Sequence, residues 1–66
     1  MKVHFDEAAD AIYLRLAASK IVESEEVQPG VVLDFDENNQ VVGIEVLGVK
    51  KRIPLANLKQ MQFEVT

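Results

Sequence analysis

Apolar and polar residues alternate with period two over most of the chain and switch to a three-residue spacing only near its end. The first pattern marks strands with one buried face, the second a short amphipathic helix. Val3 and Phe5 alternate with Lys2, His4 and Asp6 as a first strand. Asp6-Glu7-Ala8-Ala9-Asp10 breaks the alternation, and Asp side chains that bond nearby amides favour a turn there. From Ala11 the alternation resumes, with Ile12, Leu14 and Leu16 facing one way and Ala11, Tyr13 and Arg15 the other. Ala and Leu would also suit a helix over residues 7–18, but the Ile-Tyr-Leu-Arg-Leu alternation decides for strand.

Residues 17–29 are polar and read as a loop with room for a short edge strand around Val22 to Glu26, where Glu23, Glu25 and Glu26 would block edge-to-edge aggregation. Pro29-Gly30 is a turn signal. It launches Val31 to Asp36, in which Val31, Leu33 and Phe35 share a face. Glu37-Asn38-Asn39-Gln40 forms a hairpin turn, with Asn in the left-handed conformation that Gly would normally take. Val41 to Val49 returns as the longest strand, with Val42, Ile44 and Val46 on its core face and Val41, Gly43, Glu45 and Leu47 behind. A glycine within a strand, as at Gly43, marks a bulge or a close approach by another backbone. Beyond Lys50-Lys51-Arg52, Pro54 suits the first turn of a helix and Leu55, Leu58 and Met61 repeat along one side of it. Phe63 to Thr66 alternates again, as a strand stub or a frayed end. The expected fold is α+β, one domain over residues 1–66: a small antiparallel β-sheet of two hairpins, with a short C-terminal helix from Pro54 to Met61 covering part of one face.

The stretch Phe5 to Leu16, followed by Glu23-Ser24-Glu25-Glu26-Val27-Gln28-Pro29-Gly30 running into Val31 to Asp36 and then by Val42-Gly43-Ile44-Glu45-Val46-Leu47, resembles a family of short prokaryotic proteins, domain of unknown function 2283. Phe5 stands where the family often has Tyr, and Asn39 where its second hairpin usually turns on Gly; both changes preserve shape. The resemblance implies a small β-rich fold, no catalytic residues to carry over, and a role as an antitoxin-type partner of a small toxin.

Composition narrows the function further. A chain of 66 residues buries only about 60% of its unfolded surface, and small domains without staples often complete their burial in a partner chain. The absence of Cys removes disulfides, thiolate metal sites and cysteine nucleophiles together. A net charge of −4 with a single basic run, Lys50-Lys51-Arg52, argues against nucleic acid as a partner. The opening residues pass directly into charged ones, without a signal-peptide pattern, and no apolar run approaches the ~20 residues of a membrane span. A cytoplasmic protein without membrane contact is expected.

Three groups of side chains are candidates for chemistry. Asp6, Glu7 and Asp10, with His4 nearby, offer oxygens to a hard cation, but three acids without a Gly hinge fall short of a tuned loop and are explained by turn formation. Asp34, Asp36 and Glu45 could pair carboxylates across the second hairpin, yet alternation places both Asp residues opposite Leu33 and Phe35, in solvent, as ordinary acids. His4 is the only histidine, Ser19 and Ser24 lie in the polar stretch, and the glycines at 30, 43 and 48 are isolated rather than a phosphate loop. No catalytic, cofactor-binding or metal residue is expected, and the chain is not expected to be an enzyme. Tyr13 reads equally as an interface anchor and as a half-exposed strand residue covered by Arg15 or the loop.

The expected function is a non-enzymatic protein-interaction module, with a toxin-like protein among its partners. The alternatives are a self-assembling structural homodimer and a small metal-binding or hydrolytic protein. The expected interface is the second face of the sheet, where Tyr13, Val32, Val41 and Leu47 make an apolar surface that a homodimer would bury.

Overall fold

A computed structural model describes residues 1–66. Five strands, β1 (Lys2–Asp6), β2 (Ala11–Arg15), β3 (Glu23–Gln28), β4 (Val31–Phe35) and β5 (Val41–Leu47), form one antiparallel sheet in the order β1-β2-β5-β4-β3. The two expected hairpins, β1–β2 and β4–β5, are joined through β2 and β5. The expected loop over residues 17–29 supplies a fifth strand of six residues, β3, on the edge beyond β4. Its side chains are all exposed, and its three glutamates leave an edge that resists pairing with another chain.

Register sorts the side chains into two faces. Val3, Leu14, Ile44, Leu33 and Glu25 lie in one row across the sheet, and Phe5, Ile12, Val46 and Val31 in the next. On the other face, Lys2, Arg15, Gly43, Asp34 and Ser24 form one row, and His4, Tyr13, Glu45, Val32 and Glu26 another. The first face is apolar until it reaches the glutamates of β3; the second is mostly polar.

The turns follow from their residues. Asp6 Oδ1 accepts from the Ala9 amide at 3.1 Å, holding the β1–β2 turn. Asn39 takes φ 60°, the left-handed conformation expected of it, and Asp36 Oδ1 accepts from the Asn38 and Gln40 amides at 2.9 and 3.0 Å. At Gly30, φ is 80°, as the turn into β4 requires. Residues 16–22 cross the ends of β5 and β4 on their way to the far edge. They are pinned by the Leu16 amide donating to the Val42 carbonyl at 2.8 Å and the Val22 amide to the Phe35 carbonyl at 2.9 Å.

Two single-turn helices follow β5. Gly48, at φ 64°, reverses the chain into α1 (Val49–Arg52). The Val49 amide donates to the Asp10 carbonyl at 3.1 Å, the Lys50 amide to Asp10 Oδ1 at 3.0 Å, and Arg52 Nη2 to the Pro29 carbonyl at 3.1 Å. The basic run therefore ties the β1–β2 turn to the β3–β4 turn. Val49 is fully enclosed and, with Ala11 and Val42, makes up all the buried hydrophobic residues.

The C-terminal helix differs from expectation. Instead of spanning Pro54 to Met61 and covering the sheet, α2 (Leu55–Leu58) is one turn long and carries no buried residue. Pro54 precedes it as N-cap with no side-chain hydrogen bond, and no acid in the first turn meets the helix dipole. Residues 61–66 form neither strand nor helix, and Met61, Phe63 and Val65 are exposed. The apolar face is incompletely covered: Val3 is exposed, and Phe5, Ile12, Leu14, Val31, Leu33, Ile44 and Val46 are only half-buried.

Candidate functional site

The polar face is organised around one carboxylate. Asp34, on β4 between the middle strand β5 and the edge strand β3, accepts from Tyr13 Oη through Oδ2 at 2.7 Å and from Ser24 Oγ through Oδ1 at 2.6 Å. Tyr13 stands on β2 and Ser24 on β3, so the network spans four strands, with β5 passing beneath it. Gly43 on β5 makes this reach possible. A Cβ built there would lie 2.8 Å from Asp34 Oδ2 and closer still to Tyr13 Oη. Arg15 completes the group: its Nη1 donates to Tyr13 Oη at 3.5 Å and its Nη2 to the Ser19 carbonyl, which draws the crossing segment onto the same face.

One of the two expectations for Gly43 holds: the β4–β5 register shifts beside it, between Asp34 and Phe35, whereas the close approach is made by the Tyr13 and Asp34 side chains and not by another backbone. The expectation of two solvated acids does not hold. Asp34 is 9% exposed and Asp36 7%, because Asp34 is covered by its two hydroxyl donors and Asp36 turns inward onto the amides of its own hairpin. Buried carboxylates are stable when donors meet them, and each of these accepts two hydrogen bonds. The acids of the first turn are committed in the same way, Asp6 to the Ala9 amide and Asp10 to the Lys50 amide. No three His, Asp or Glu side chains converge in a way that could hold a metal ion.

A depression of about 330 Å³ lies at the β1–β2 end of the polar face, lined by Lys2, His4, Tyr13 and Arg15. It is open to solvent, and its exposed Lys2 and His4 sit on an edge strand, where charge discourages pairing with other chains.

The model of the family described as Protein of unknown function (DUF2283) matches residues 2–50. The chain belongs to that family. The part of the chain shared with DUF2283 runs from the first residue of β1 into α1 and so includes all five strands, both faces and the Asp34 network. Residues 51–66, with α2 and the tail, lie outside it. No curated protein and no solved structure matches the chain. No helix is long and apolar enough to cross a membrane.

Of the four residues expected at an interface, Tyr13, Val32 and Leu47 belong to the polar face. Val41 stands apart at the irregular end of β5, opposite Phe35. Tyr13 is half-buried under Arg15 and bonded to Asp34. The four do not form one apolar surface, because Asp34, Ser24, Arg15 and Glu45 share the face with them. The broad apolar surface is on the other side. Sequence reasoning missed the network itself, although three signals for it were present: a mid-strand glycine, an Asp one residue out of phase with an apolar strand, and a Tyr on the same face.

Proposed function

We propose that this DUF2283 protein is a non-enzymatic protein-interaction module whose apolar face is its working surface. One observation carries the reading. The face formed by β1, β2, β5 and β4 presents two rows of aliphatic and aromatic side chains that the chain itself leaves half-exposed. A solvated face of an antiparallel sheet alternates to polar residues, whereas a continuous apolar patch marks a contact surface. The engagement of both Asp34 oxygens on the opposite face supports the non-enzymatic part of the reading. Asp34 already accepts two hydroxyl donors and serves to lock four strands together.

Photoreactive benzoylphenylalanine placed at Leu14, in the middle of the apolar face, tests the proposal in living cells. A discrete cross-linked product is expected, whether with another copy of the chain or with a different protein such as a toxin. The same probe at His4, exposed on the polar face, should give none. No product from Leu14, or equal products from both positions, would show that this face is not the working surface.

A further inference from the structure

We infer that the apolar face pairs with the same face of a second copy of this chain, about a two-fold axis. The inference rests on the interaction-module reading and names its partner.

The first argument is the size of the core. Six of 66 residues are buried, and only Ala11, Val42 and Val49 among them are hydrophobic. Three small side chains are a thin core for a domain without disulfides or a metal, and small domains of that kind are completed by oligomerisation. The missing burial must be available whenever the chain is folded, and the one partner always present is another copy.

The second argument is area. The chain exposes 5112 Å², whereas a compact monomer of its mass exposes about 4,200 Å². The excess is thus about 900 Å² per chain, and twice that for a pair is the order of area a standard interface removes. The exposed tail and the half-exposed face both contribute to the excess, with Val3 44% and Leu16 39% exposed at the margins of the face.

The third argument is the pattern on the face. Leu14 and Ile44 sit at its middle, and on the β3 side the rows end at exposed Glu25 and Gln28. An apolar centre bounded on one side by polar residues fits the anatomy of a protein interface. A two-fold pair buries such a patch against itself and closes, leaving no surface for further growth.

Light scattering at micromolar concentration should give about twice the 7.4 kDa chain mass. Because unfolding of a dimer is linked to its dissociation, tenfold dilution should lower the Tm by roughly 5 °C. Leu14→Glu together with Ile44→Glu should abolish the dimer. Val32→Glu together with Leu47→Glu, on the polar face, should keep it. Should the first pair of substitutions prevent folding, the dilution series on the unmodified protein decides alone. A mass of one chain with a concentration-independent Tm would overturn the inference, as would a dimer lost through the polar-face pair and kept in the other. If that monomer still cross-links through Leu14 to a different protein, the dimer falls and the module reading stands; no cross-link at all removes both.

Discussion

Gly43→Ala should lower the unfolding free energy by about 2–5 kcal/mol, combining the cost of an overpacked site with that of a buried carboxylate losing a donor. The added methyl occupies the space through which Tyr13 Oη reaches Asp34 Oδ2. Either the two side chains are forced together or Tyr13 swings away and leaves Asp34 with Ser24 alone. For a domain of this length the total stability is only about 3–10 kcal/mol, so a loss of this size removes much of it. The same substitution in a Tyr13→Phe background should cost markedly less, because the hydroxyl that the methyl strikes is gone. Urea melts of the four proteins close the cycle. Equal costs in the two backgrounds would mean that Gly43 is required for some reason other than the passage of Tyr13.

Asp34→Ala should cost about 2–4 kcal/mol, since it removes two hydrogen bonds to a charged acceptor and leaves two part-buried hydroxyls to find new partners. Asp34→Asn should cost less. A hydroxyl can accept as well as donate, so Tyr13 or Ser24 can turn to meet the amide group while the other keeps its bond to the remaining oxygen. The loss should appear as faster exchange of amides in β3, which Ser24 ties to the sheet through Asp34 and whose side chains bury nothing. An Asp34→Ala protein with unchanged urea midpoint and unchanged β3 protection would show that the network is incidental to the fold.

The architecture was largely legible because it rests on local pattern. Period-two alternation placed Leu14, Ile44 and Leu33 on one face, and the Glu37-Asn38-Asn39-Gln40 turn fixed the hairpin that carries two of them. Asn39 adopts the conformation expected of it, and Pro29-Gly30 turns as read. The edge strand was half legible: the polar stretch read as a loop with room for a strand around Val22 to Glu26, and pairing with β4 carries the strand to Gln28. What was not legible is whatever depends on neighbours remote in sequence. Alternation assigns Asp34 to a face but says nothing of a Tyr on β2 and a Ser on β3 arriving to cover it. The three-residue spacing of Leu55, Leu58 and Met61 suggests a helix without saying whether anything lies beneath it. A single turn without a cap or buried contact has little to hold it on the sheet. The apolar residues Tyr13, Val32 and Leu47 could be counted on their face, but not the hydrogen bonds that make that face polar.

The account's central claim, that the apolar face is covered in solution by a second copy of the chain, is tested most directly by methyl-resolved NMR with a soluble paramagnetic agent. At high protein concentration the methyl groups of Ile12, Leu14, Leu33 and Ile44 should be shielded from the agent as fully as those of Val42 and Val49. Val22, 55% exposed on the crossing segment, should be strongly broadened. If the methyl groups of the apolar face broaden as Val22 does, the face stands open to water and the claim is contradicted.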